Sequence, residues 1–188
     1  GLKVHPDCVS ILENMASSYL SIGDSDKALE TVKLARRVNA SSDQGAQTMA
    51  NALIDKGDYT NALAVCEDAI RSRPWSGEFH STASICLGKM GRKEEALEAA
   101  RKGTVTGKPV AFVWEQYAIA LKDCKRFEDA AEAYGKAALL KPDTVNYVIG
   151  RASALFESGR VEEANAECEA WLRRFPDSKP FRLCKMSA

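Results

Sequence analysis

The segment from residue 111 to residue 144 reads AFVWEQYAIALKDCKRFEDAAEAYGKAALLKPDT, and its pattern decides the fold. Phe112, Trp114, Tyr117, Ala118 and Leu121 recur at threes and fours, which is the spacing of one apolar stripe along an α-helix. Lys125, Arg126 and Phe127 break that stripe, and Ala130, Ala133, Tyr134, Ala137 and Leu140 open a second one. Pro142 closes the second stripe, because proline lacks an amide hydrogen and its ring clashes with the preceding helical turn. The segment therefore predicts two helices joined by a tight corner.

The same pattern returns along the chain. Gly23, Gly57, Gly91 and Gly159 stand 34, 34 and 68 residues apart, and Lys125 occupies the missing corner. Alanine follows each corner five residues later, at Ala28, Ala62, Ala96, Ala130 and Ala164. Small residues at Ala16, Ala50, Ser84, Ala118 and Ala152 keep the same period. Two small rows facing each other allow the helices of a pair to approach closely. Glycine at the corner suits a left-handed residue that finishes the first helix. A lysine there must take that conformation at a cost of about 1–2 kcal/mol, or the turn differs locally. Five units result, at 9–42, 43–76, 77–110, 111–144 and 145–178, with a lead-in at 1–8 and a tail at 179–188. The expectation is an all-α stack of five helix-turn-helix units, ten helices in all.

Composition narrows the function. Basic and acidic side chains balance at 26 each, which removes the electrostatic case for nucleic acid or an acidic membrane surface. No apolar run approaches the roughly 18 residues of a membrane span. Cys8, Cys66, Cys86, Cys124, Cys168 and Cys184 are scattered, with no pairing at metal-ligand or redox spacing. They read as buried thiols of a reducing compartment, the cytoplasm. His5 and His80 are the only histidines, too few for a catalytic triad or a histidine metal site. No catalytic residue, cofactor site or metal site is expected. Glu94-Glu95 and Glu162-Glu163 fall at the start of second helices, where acids suit the helix dipole.

Trp114, Tyr117-Ala118, Leu121, Ala130, Tyr134, Ala137 and Pro142 resemble the tetratricopeptide repeat pattern of the same length. Met49-Ala50, Leu53, Ala62, Cys66, Ala69 and Pro74 resemble it in the second unit. The third unit departs with Gly103 in place of the second alanine, and the fifth with Trp171. The resemblance implies a right-handed α-solenoid whose first helices line a concave groove. Transferred to this chain, the groove residues are Asn14 and Ser17, then Gln47, Thr48 and Asn51, then Thr82 and Ile85. They continue with Phe112, Glu115, Gln116 and Ile119, then Asn146, Ile149, Ser153 and Phe156. Glu13, Gln44 and Gly150 fall on the same face.

Side-chain amides at one end of that face can bond both the donors and the acceptors of an extended peptide. Ile85, Phe112, Ile119, Ile149 and Phe156 gather towards the other end and suit a bulky apolar anchor. Acids outnumber bases on the face, so the expected partner is a protein or peptide segment, neutral to basic, with an apolar anchor. Members of the family that grip acidic chaperone tails resemble one another in a Lys/Asn, Asn, Lys/Arg clamp. This chain has Glu13, Ser17, Thr48, Glu78 and Thr82 at those places, and acids there repel a carboxylate ligand.

The expected function is thus a non-catalytic protein-interaction scaffold. Two alternatives stand beside it: self-assembly through terminal faces, and a targeting or regulatory domain of a larger enzyme. Trp171 is expected to shield the last face with Phe181 and Leu183, while the face that Ile11, Leu12 and Met15 open on the first helix is either covered by preceding residues or a self-association surface.

Overall fold

A computed structural model describes residues 6–176 of the chain. Among them are ten helices and no strand. The first helices of the pairs are α1 (Pro6–Ser21), α3 (Asp43–Asp55), α5 (Gly77–Lys89), α7 (Ala111–Asp123) and α9 (Val145–Glu157). The second helices are α2 (Ser25–Val38), α4 (Tyr59–Ser72), α6 (Lys93–Val105), α8 (Phe127–Leu140) and α10 (Val161–Arg174). The chain divides into two compact units, Gly1–Gly107 with α1 to α6 and Lys108–Ala188 with α7 to α10. Within each unit every helix packs on the next in sequence, and in the first unit α3 also touches α1 and α5.

The corners behave as the glycine spacing predicts. Gly23, Gly57, Gly91 and Gly159 all have φ near +80°, and Lys125 has φ of 60°. After each corner the next amide reaches back over the helix end: Asp24 N–H donates to the Tyr19 carbonyl at 2.9 Å and Arg126 N–H to that of Leu121 at 2.9 Å. This is the Schellman closure, which satisfies carbonyls that a helix end otherwise leaves open. Replacing Lys125 by glycine relieves the left-handed strain but adds chain entropy to the unfolded state, for a net gain of about 0.5–1 kcal/mol. The expected result is a melting temperature higher by roughly 1–4 °C in a calorimetric scan. A lower one would mean that the lysine side chain itself supports the corner.

Second helices start in two ways. Asp24 and Asp58 cap α2 and α4, accepting from the amides of Lys27 and Asn61. The later pairs carry Arg92, Arg126 and Arg160 at the same place, with no side-chain cap. Each arginine instead grips the acid three residues on, as Arg92 does Glu95 through two bonds of 2.7 Å. Those bonds hold the Glu95 and Glu163 carboxyls below their usual range.

The two small-residue rows are buried in all five pairs, from Ala16 and Ala28 to Ala152 and Ala164. The third pair shows how they meet, since the Ser84 hydroxyl donates to the Ala96 carbonyl at 2.7 Å. Serine is tolerated in an alanine row because its hydroxyl finds a partner in the facing backbone.

Gly77 and Gly103 bring α5 and α6 closer still. A Cβ on Gly77 would lie 2.6 Å from the Gly103 carbonyl oxygen and 2.9 Å from that of Thr106. Gly103, a departure from the repeat in the sequence, is thus where two backbones touch.

Cys66, Cys86 and Cys168 are buried, as expected of core thiols, whereas Cys8 is exposed and Cys124 partly so. Cys184 lies outside the described residues. Trp171 is buried against Val148 and Ala152 of α9 and stacks on Phe175 at 4.4 Å. Phe181 and Leu183, its expected companions, lie outside the described residues.

Candidate functional site

The first unit carries an open cleft of about 470 Å³ across α1, α3 and α5. Ser17, Gln47, Thr48 and Asn51 line it, joined by Leu20, Gln44 and Phe79. Side-chain bonds cross it from helix to helix. Gln44 Nε2 donates to Asn14 Oδ1 at 3.0 Å, Ser17 and Thr48 share a hydroxyl contact of 3.3 Å, and Gln47 Nε2 donates to Thr82 Oγ1 at 2.8 Å. The same Gln47 nitrogen also donates to Asn51 Oδ1 at 3.1 Å. Gln47 Oε1 is buried and accepts from nothing. An unpaired amide oxygen in such a place costs about 1–3 kcal/mol, which an incoming N–H removes.

Burial sorts the expected groove residues. Asn14 and Asn51 are exposed, and Ser17, Gln47 and Ile85 are partly so. Thr48 and Thr82 are buried and hold the frame: the Thr82 hydroxyl donates to the Glu78 carbonyl at 3.0 Å while accepting from Gln47. Glu13 is also buried, in the space that a side chain at Gly45 would fill, since a Cβ there would meet Glu13 Oε1 at 2.9 Å.

In the second unit Phe112, Glu115, Gln116, Ile149 and Ser153 are partly exposed and Asn146 is exposed. Ile119 and Phe156 show 39% and 59% of their surface. Lys122 Nζ reaches from α7 to Ser153 Oγ on α9 at 2.9 Å. Gly150 serves packing, because a Cβ there would press into the Tyr134 ring at 2.4 Å. Burial keeps Glu115 above the usual carboxylate range. Tyr134 is pushed up to about 12, by burial first and then by Glu115 and Asp123.

Sequence reasoning missed a cleft of about 600 Å³ on the α8–α10 side, lined by Gly135, Leu139, Arg151 and Trp171 among others. The exposed Leu139, outside both apolar stripes, is the one letter that signals it. Among the described residues no three His, Cys, Asp or Glu side chains gather to hold a metal ion, and no helix is long and apolar enough to cross a membrane.

Helix pairs of this length, closed by left-handed corners and packed through two small-residue rows, are what family comparison also finds. Two tetratricopeptide repeat models match the sequence, one over residues 118–179 and one over residues 45–74. The chain is a tetratricopeptide repeat protein, and its fold is the all-α solenoid class of that family. Among solved structures it is similar to a thermophilic TPR protein of Thermus thermophilus, TTC0263, at 17% identity and a TM-score of 0.78 over 95% of this chain and 97% of that one. MamA from Desulfovibrio magneticus RS-1 aligns at 21% identity and a TM-score of 0.70, covering 93% of this chain and all of the other. YrrB, described as a TPR protein with an unusual peptide-binding site, aligns at 16% identity and 0.66 over 93% and 90% of the two chains. No match was found among curated proteins.

The family and fold support a protein–protein interaction scaffold.

Proposed function

We propose that this scaffold is non-catalytic and binds an extended segment of a partner protein, seated by its backbone in the amide-lined cleft of the first unit. The observation that carries the reading is the buried, unpartnered Gln47 Oε1 in a cleft whose other amides are tied across three helices. The helix frame is preformed, and only the Gln47 side chain turns to bring its buried oxygen to the segment. A backbone N–H satisfies the oxygen, while the Asn14 and Asn51 amides are exposed to meet backbone carbonyls. In the second unit, taken by itself, Phe112, Ile119, Ile149 and Phe156 offer contacts to a bulky apolar side chain of a partner. Repeat boundaries at 43, 77, 111 and 145 and a cytoplasmic setting belong to the same proposal, the latter supported by the thiols.

The test is affinity capture with the wild type and with Gln47→Leu/Asn51→Ala. The variant should lose at least about tenfold in affinity for whatever segment the wild type captures, since two amide contacts at about 1 kcal/mol each are removed. Unchanged affinity would remove the cleft from the account.

Self-association through α1 is the second reading, favoured by Ile11 and Met15 at 57% and 44% exposure. It predicts a light-scattering mass that rises over a hundredfold range of concentration and falls back in Ile11→Glu.

A further inference from the structure

We propose that Glu115 anchors a lysine or arginine side chain of a protein segment bound to the second unit, with Ile119, one helical turn on, holding an apolar neighbour of that cation. This rests on the segment-binding reading of the scaffold above and concerns the second unit by itself.

Glu115 lies on α7, partly withdrawn from water, with no hydrogen bond or ion pair to any described residue. Other acids of this unit either face water, as Asp123, Glu128, Glu132, Glu157 and Glu162 do, or are paired. Glu167 pairs with Arg151 at 3.2 Å, Asp143 with Arg174 at 2.7 Å, Asp129 with Arg126, and Glu163 with Arg160. Two lysines of α7 and α8 are committed elsewhere. Lys122 holds Ser153, and Lys136 lies over the Trp114 ring at 4.4 Å.

The titratable groups that feel Glu115 from the packed helices are Tyr134 on α8 and Tyr147 on α9, and both phenols are raised by burial first and by the Glu115 charge after it. Asp123, on the same helix, acts on Tyr134 with the same sign. The surroundings therefore supply neutral phenols and a second acid, and no positive charge to answer the carboxylate.

A part-buried carboxylate without a partner gains more from a cation than an exposed one, because a charge-assisted bond strengthens as water is excluded. It also rejects anionic ligands. Residues four apart share a helix face, so Glu115 and Ile119 present a charge and an apolar patch side by side. The Ile119 side chain is 39% exposed, open to contact. A lysine or arginine stem covers apolar surface while its head reaches an acid, which fits this pair.

The experiment is a random peptide-display selection on the full chain and on Glu115→Gln, with Glu162→Gln as the solvated control. The wild type should enrich peptides that carry Lys or Arg close to Leu, Ile, Met or Phe. Glu115→Gln should lose the basic preference and bind the winning peptides at least about tenfold more weakly, with melting unchanged. Glu162→Gln should match the wild type. Peptides enriched without a basic residue, or a basic preference that survives in Glu115→Gln, would overturn the proposal and leave segment binding standing. Enrichment of no peptide by any of the three chains would sink the segment-binding reading itself.

Discussion

Gly77→Ala is expected to lower the melting temperature by roughly 6–12 °C, the equivalent of about 3 kcal/mol in a chain of this size. The new methyl would sit 2.6 Å from one backbone carbonyl oxygen and 2.9 Å from another. Both oxygens belong to the end of α6, so relief requires helix movement and not a side-chain rotation. Alanine is intrinsically the better helix former by about 1 kcal/mol, which sets the sign of the experiment. If close backbone contact did not hold α5 on α6, the substitution would stabilise. Thermal unfolding followed by circular dichroism reads the difference directly, and a rise in melting temperature would contradict the packing described for this pair.

Phe112→Ala with Ile119→Glu is expected to weaken partner capture more than about a hundredfold while helicity is retained. Truncating a large aromatic contact removes apolar burial worth about 2 kcal/mol, and a glutamate in the other position must lose its hydration on binding. Ile119 is exposed and Phe112 partly so, and for that reason the loss falls on binding more than on folding. Titration calorimetry with the captured segment separates the two effects, and capture at wild-type affinity would remove the apolar anchor from the second unit.

How much of this was legible in the sequence differs from residue to residue. The corner at Lys125 was readable from its place in the glycine period, and the lysine there takes the same left-handed conformation as the glycines. The small rows were readable because helix pairs that approach closely leave no room for larger side chains. The Gly77–Gly103 approach was not: Gly103 stood out as an irregular letter, but the oxygen beside Gly77 belongs to a different helix.

Glu13 shows the same limit for the site. Helical spacing puts it on the groove face, yet the missing side chain at Gly45 opens a space into which it turns. Thr48 and Thr82 lie at the edge of that face, where a small rotation of the helix decides between groove and core. From where the period places them, Gln47 and Asn51 line the cleft, and Asn14 accepts from Gln44 beside it. The division into two compact units leaves no mark on the period, which runs through residue 107 without a shift.

The central claim is that a partner's chain lies in the cleft of the first unit, and site-specific photo-cross-linking tests it most directly. A benzophenone side chain placed at Asn51, with the same group at Ile11 in a separate chain, reports which surface the partner covers. The account predicts adducts from Asn51 that disappear when an unlabelled captured segment competes, and no partner adduct from Ile11. Adducts from Ile11 alone, with Asn51 silent, would contradict it and move the interaction to the first helix.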